Sequence, residues 1–185
     1  TVFASLISRE VKFPEVSGDL FHIFHPVHML FSATATTAMF WRHDRRLIKA
    51  IVIGLIGAIG VCGVSDIILP FVAGLLLGAK MHLHICIIAH PAIVIPFALT
   101  GVFAGLLVRT ETNIGTISSH SAHVLVSSMA SLLYLISYGV TDWMESIGYV
   151  FLFVIAAVMI PCCFSDIIFP LLFAKPRKPE IFTAD

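Results

Sequence analysis

Charged residues are scarce in this sequence of 185 residues: only 12% are charged, whereas 58% are hydrophobic. A soluble domain carries about a quarter charged residues. Basic and acidic residues are equal in number, at 11 each, so the formal net charge is zero. Without a basic stripe or patch, nucleic acid is not an expected partner. The partner that this composition indicates is the lipid bilayer.

The sequence also lacks the motifs of several enzyme classes. It contains no His-Glu-x-x-His, no Gly-x-Ser-x-Gly and no phosphate-binding loop, which makes a hydrolase the weakest functional interpretation. Its four cysteines, Cys62, Cys86, Cys162 and Cys163, all lie within apolar segments. A disulfide framework is therefore not expected.

Apolar runs long enough to cross a bilayer, which takes about 20 helical residues, occur five times. The sequence predicts an all-α integral membrane protein with five transmembrane helices, over residues 22–41, 47–79, 85–108, 114–140 and 147–174. Residues 1–21 are expected to form an amphipathic, interfacial lead-in, and residues 175–185 a cytoplasmic tail. The second and fifth spans are long and contain proline, so they are expected to tilt, kink or break.

The placement of lysine and arginine predicts the orientation of these spans. If the loop after the first span lies inside, the inside segments hold eight of the basic residues and the outside segments three. The N-terminus is therefore predicted outside and the C-terminus inside. The expected location is the cytoplasmic membrane of a bacterium or archaeon.

Two stretches of the sequence occur twice. Cys62-Gly-Val-Ser-Asp-Ile-Ile-Leu-Pro-Phe71 returns 100 residues later as Cys162-Cys-Phe-Ser-Asp-Ile-Ile-Phe-Pro-Leu171, and His25-Pro-Val-His-Met-Leu aligns with His120-Ser-Ala-His-Val-Leu. Residues 22–79 and 114–174 are therefore predicted to be two copies of a helix pair, joined by a central helix within residues 80–113. Because one helix intervenes, the copies would run in opposite directions, as in inverted-repeat transporters.

Each copy combines His-x-x-His on one helix with Cys-x-x-Ser-Asp on the next. Histidines at positions i and i+3 share a helical face, and an aspartate inside a membrane usually faces a partner or a water-filled cavity. Imidazoles, a carboxylate and a soft thiol together are a donor set for Zn²⁺, Fe²⁺, Mn²⁺ or Ni²⁺. The predicted metal ligands are His25, His28, Asp66 and Cys62 in the first copy and His120, His123, Asp166 and Cys162 in the second.

The prolines of the repeated motif add a further expectation. Proline cannot donate to the carbonyl four residues earlier, so Pro70 and Pro170 are predicted to free the carbonyls of Asp66 and Asp166. Inversion would give two equivalent polar clusters at mirrored depths, one near each membrane face.

Three functions remain open on this basis. The first is a small inverted-repeat transporter or channel-like carrier for a divalent transition-metal ion, protons or both, either as a homo-oligomer or within a larger membrane complex. The alternative is an electron-transfer subunit that acts with quinone and holds b-type haem or a metal, with His90 as a haem ligand paired with His25 or His28. The second alternative is a non-catalytic assembly subunit, in which polar side chains only hold helices together.

Overall fold

The computed structural model describes residues 13–108, 113–140 and 147–174, with side chains from residue 16 in the first range and from residue 121 in the second. Every regular element in this part of the chain is helical, which confirms the all-α prediction for it. The helices are α1 (Phe13–His43), α2 (Leu47–Leu76), α3 (Cys86–Ala89), α4 (Pro91–Leu107), α5 (Asn113–Tyr138) and α6 (Ile147–Phe173). Most of the expected lead-in and the expected tail lie outside the described residues.

Three of these helices are long and apolar enough to cross a membrane: α2, residues Ser121–Tyr138 of α5, and α6. The apolar helix α4 is shorter, at 17 residues, and α1 is longer, at 31 residues, but more polar. Each of the five predicted spans coincides with helix. However, α1 already begins at Phe13, and the third span is interrupted at His90, between α3 and α4. The five-span count and the inverted arrangement stay predictions.

The described residues bury many polar side chains beside apolar ones such as Phe21 and Tyr134, and they leave many large apolar side chains exposed. Residues more than half exposed include Ile48, Ile88, Phe103, Leu125, Ile160 and Leu172. Buried polar residues include His25, His28, Ser32, Thr36, Thr37, Ser65, Asp66, His123, Ser127, Ser131, Ser165 and Asp166. Proteins in water bury mainly apolar residues and expose their charged ones, so this distribution fits a protein surrounded by lipid.

Helix α1 is the element around which the others pack: it contacts α2, α4, α5 and α6. Its contact with α4 depends on Gly101 and Gly105. A Cβ atom added at Gly105 would lie 2.6 Å from the carbonyl oxygen of Thr34 and 2.8 Å from Cβ of Thr37. Glycine allows two helix backbones to approach this closely. The Gly101-x-x-x-Gly105 pattern thus marks the α1–α4 interface.

The replacement Gly105→Ala is expected to destabilise the protein by about 1–3 kcal/mol, the usual cost of overpacking. The reason is that the new methyl group would meet backbone atoms of α1, which cannot move aside like a flexible side chain. Thermal unfolding in detergent measures the change. Gly148→Ala is the matched control, because no described atom lies within 4 Å of a Cβ at that helical position. Equal unfolding midpoints for the two variants would contradict the expectation.

Helices α2 and α6 contain π-helical turns at the repeated motif, over Val64–Ile68 and Phe164–Ile168, and α2 has another over Gly57–Val61. In a π-helical turn the backbone N–H bonds to the carbonyl five residues earlier, instead of four. Both helices continue through the proline that follows the motif. The expected irregularity of the two long spans therefore takes the form of π-helical turns.

This change of register corrects the prediction about the freed carbonyls. The carbonyls that accept bonds from neighbouring helices are those of Ser65 and Ser165, which lie five residues before the prolines. Ser131 Oγ donates to the Ser65 carbonyl at 3.2 Å, and Thr36 Oγ1 donates to the Ser165 carbonyl at 3.1 Å. The prediction assumed α-helical bonding, which would free the carbonyls of the aspartates, whereas in the π-helical register the carbonyl opposite each proline is that of the preceding serine.

Candidate metal centre

Asp66 is a fully buried carboxylate at the junction of three helices. Its Oδ2 atom lies 2.9 Å from His25 Nδ1 and 2.6 Å from His28 Nδ1. Its Oδ1 atom accepts bonds from Ser65 Oγ at 2.9 Å and from Ser127 Oγ at 3.1 Å. Both oxygens are therefore satisfied by donors from α1, α2 and α5.

The second copy of the motif holds a histidine in the same way. His123 Nδ1 lies 2.7 Å from Asp166 Oδ2, and both side chains are almost fully buried. The remaining nitrogens of the two central histidines meet: His28 Nε2 and His123 Nε2 are 2.7 Å apart. Four side chains thus form one continuous row, Asp66–His28–His123–Asp166.

The prediction of two separate clusters is wrong. The histidines of the two copies are in direct contact, because α1 and α5 pack extensively against each other and present His28 and His123 to the same point. Sequence spacing predicted which residues share a helix face, but it carried no information on the distance between the two helices.

Two sulfur atoms lie beside the paired imidazoles. Cys62 Sγ is 3.8 Å and Cys162 Sγ is 3.7 Å from His28 Nε2. The ligand atoms of His28, His123 and Cys162 all lie within 4.8 Å of one another. One point in the buried interior is therefore surrounded by two ring nitrogens and the sulfur of Cys162, while the sulfur of Cys62 is close to His28 but does not belong to this group.

The hydrogen bonds around the paired imidazoles follow the same repeat as the sequence. Thr36 and Ser131 are 95 residues apart, and they bond to the carbonyls of Ser165 and Ser65, which are 100 residues apart. The two histidine–aspartate bonds correspond in the same way. Each copy of the motif therefore supplies one histidine and one aspartate to the row of four side chains.

The protonation state of His28 and His123 determines whether a proton or a metal ion can lie between the two rings. When the Nδ1–H groups of His28 and His123 donate to the aspartates, each neutral ring is left with a lone pair on Nε2. Two lone pairs at 2.7 Å repel each other unless a positive charge lies between them. That charge can be a proton, which makes one ring cationic, or a metal ion bound by both rings.

Two predicted site residues stand apart from this row. His120 lies in α5, but its side chain is outside the described residues. His25 bonds to Asp66 through Nδ1, while its buried Nε2 atom has no hydrogen-bond partner among the described residues. His25 also lines a cavity of about 190 Å³, together with Met29, Gly60, Gly63 and apolar side chains of α2 and α3.

The sequence analysis missed a second group of histidines, to which His90 belongs. The ring of His90 contacts His22 and His84, with centroids 4.7 and 5.6 Å away, instead of the expected His25 or His28. Burial lowers the pKa of His84, and the nearby His22 and His90 lower it further, so its ring stays neutral to lower pH. A sequence signal was present, since His22 continues the three-residue spacing of His25 and His28.

No protein-family model, curated protein or solved structure matches this chain. Its functional interpretation therefore rests on the arrangement of the side chains themselves.

Proposed function

We propose that this chain is an integral membrane carrier that exchanges a divalent transition-metal ion for protons. The ion binds at the centre of the helix bundle, between the two copies of the repeated motif. Its ligands are the imidazoles of His28 and His123 and the thiol of Cys162, and Cys62, with Sγ 3.8 Å from His28 Nε2, is the candidate for the fourth position.

The proposal depends chiefly on the way His28 and His123 face each other. In tetrahedral zinc sites, metal–nitrogen bonds of 2.0–2.1 Å hold two ligand nitrogens about 3.3 Å apart. The two Nε2 atoms are 2.7 Å apart, so a small separation of the rings admits the ion. A nitrogen and a sulfur bound to one zinc ion lie about 3.6 Å apart, close to the 3.7 and 3.8 Å from His28 Nε2 to the two sulfurs.

Asp66 and Asp166 support the proposal through their hydrogen bonds to the two histidine ligands. A metal-bound histidine usually donates its other ring N–H to a carboxylate or carbonyl, which fixes its orientation and makes the free nitrogen more basic. Asp66 and Asp166 occupy that position behind His28 and His123. A fully buried carboxylate such as Asp66 also needs positive charge nearby, and a divalent ion supplies it.

Proton exchange follows from the same chemistry. The ion occupies the position of the proton between the two imidazoles, so binding displaces that proton. Thiols become thiolates when they bind a metal, which releases further protons. Loss of the ion reverses these steps.

The donor set favours some ions over others. Imidazole and thiolate suit zinc, and they suit iron and nickel better than manganese, which prefers oxygen ligands. A haem fits less well, because two axial imidazoles would need the whole macrocycle between them, whereas the Nε2 atoms of His28 and His123 are 2.7 Å apart.

The inverted arrangement with five spans is part of the proposal. The equivalent bonds made by Thr36 and Ser131 support it, because they relate the two copies residue by residue. A set of buried polar side chains along one face of α1 supports a route for ions through the bundle. These residues are His25, His28, Ser32 and Thr36.

Reconstitution into liposomes tests the carrier function. Protein purified through a tag without histidine is inserted into vesicles that enclose a zinc-sensitive dye and a pH-sensitive dye. We expect zinc uptake and a proton flux in the opposite direction, both reduced in a Cys62→Ser/Cys162→Ser double variant. Cys86→Ser is the matched control, since Cys86 is buried but is not one of the two sulfurs beside His28.

Other outcomes would identify the alternative functions. A purified protein whose visible spectrum contains a haem Soret band would favour electron transfer. Bound zinc without flux in correctly inserted protein would favour the assembly subunit and would contradict the carrier.

A further inference from the structure

A second group of histidines lies about 9 Å along α1 from the central site, at the end of the bundle where the loop between α2 and α3 meets α1. His22 Nε2 and His84 Nε2 are 3.2 Å apart, and the ring of His90 packs against both. Each of the three offers a ring nitrogen within 4.8 Å of the others. His90 is exposed and the other two are half-buried, unlike the fully buried central histidines.

The rings of this group are held in orientations suited to ligation. His22 Nδ1 donates to the Gly18 carbonyl at 2.8 Å, which leaves the lone pair of Nε2 directed at His84. The backbone N–H of His84 donates to Tyr134 Oη at 3.0 Å, and its ring stacks on Tyr138 with centroids 5.0 Å apart. A ring N–H that donates to a backbone carbonyl, as in His22, is typical of metal-binding histidines.

We propose that His22, His84 and His90 bind a divalent transition-metal ion at the exposed end of the bundle, with water in the remaining position. Three imidazoles with one open position form a common zinc site. The 3.2 Å between the Nε2 atoms of His22 and His84 agrees with the distance of about 3.3 Å between two nitrogens on one tetrahedral ion. The site is distinct from the central one, because it contains no sulfur and its residues are less buried.

The position of this site on α1 also suggests a role in ion uptake. This role rests on the proposed carrier function. His22, His25 and His28 follow one another at three-residue spacing on α1, so each neighbouring pair shares a helix face and His25 adjoins both of the others. His25 stands between them with an Nε2 atom that has no partner among the described residues. The exposed site would therefore collect ions and supply the central one.

Titration of the full-length protein with Co²⁺ in detergent tests the exposed site. We expect two ions to bind to each chain. The central ion is recognised by a thiolate-to-cobalt charge-transfer band, whereas the exposed ion adds only the weaker absorption of a nitrogen-bound ion. His90→Ala is expected to weaken the second binding event by more than about tenfold, since even the loss of an outer-shell partner costs 10–100-fold, and to leave the thiolate band unchanged.

His82→Ala is the control, because His82 is an exposed histidine of the same loop that does not belong to the group. The proposal is overturned if His90→Ala and His82→Ala bind Co²⁺ as the wild-type protein does. His90 is exposed, so its replacement is not expected to prevent folding. If the wild-type protein shows no thiolate band but His90→Ala still binds one ion fewer than wild type, the central site is refuted and the exposed site is upheld.

Discussion

Replacing His28 with alanine is expected to abolish metal binding at the proposed site in the centre of the bundle. Its Nε2 atom lies 2.7 Å from His123 Nε2 and within 3.8 Å of both cysteine sulfurs, so it is the donor nearest to all the others. The loss of affinity should exceed the 10–100-fold that removal of an outer-shell partner costs. In a Co²⁺ titration, the thiolate charge-transfer band should disappear.

His43→Ala is the matched control for this experiment. His43 lies on the same helix but is exposed, and its Nδ1 atom donates to the Met39 carbonyl at 2.9 Å. Its replacement should leave the Co²⁺ spectrum unchanged. If His28→Ala folds and still binds Co²⁺ with wild-type affinity and spectrum, the ligand assignment is wrong.

The second large effect is expected for Asp66→Ala, which should destabilise the protein by about 3–5 kcal/mol. This is the usual cost of removing one member of a buried ion pair. Asp66 accepts bonds from His25, His28, Ser65 and Ser127. Its replacement removes the acceptor of His25, His28 and Ser127, whereas Ser65 Oγ can still donate to the Cys62 carbonyl. Unfolding in mixed detergent micelles, followed by circular dichroism, measures the loss.

Two further variants separate charge from hydrogen bonding at this position. Asp66→Asn keeps the size and one acceptor oxygen, so it should fold better than Asp66→Ala yet bind metal 10–100-fold more weakly than wild type. Asp19→Ala removes an exposed carboxylate of the same chain and should have little effect on unfolding. An Asp66→Ala protein as stable as Asp19→Ala would show that the buried bonds contribute little.

Much of the local structure could be predicted from the sequence, because it depends on periodicity within single segments. The apolar runs gave the helices, and the spacing of His25 and His28 placed both on one face of α1. The pairing of His28 with Asp66 and of His123 with Asp166 also followed, since each motif occurs on consecutive helical segments of one copy. These contacts are present as hydrogen bonds.

Distances between the two copies could not be predicted in this way. Two copies of a motif can hold their polar residues apart or bring them together, and the outcome depends on how closely α1 and α5 approach. That approach depends on tertiary packing, which a periodicity pattern does not measure. The direct contact of His28 with His123 therefore emerged only from the structure.

The exposed histidine group was missed for a different reason. His84 and His90 lie outside any regular pattern, on a loop and at the break between α3 and α4. Their position is determined by tertiary bonds, such as the one from the His84 backbone N–H to Tyr134 Oη. Residues near the ends of apolar runs look interfacial in a sequence, even where the fold assembles them into a group.

The π-helical turns at the repeated motif change what a one-residue deletion would do. In an ordinary helix, a deletion rotates everything that follows by about 100°. In α2, removal of one residue within Val64–Ile68 would instead convert the π-helical turn into a regular α-helical turn, and the flanking segments would keep their faces. The Ser65 carbonyl would then no longer be the one left free for Ser131. The helix would tolerate the shortening, but the polar centre that it supports would not.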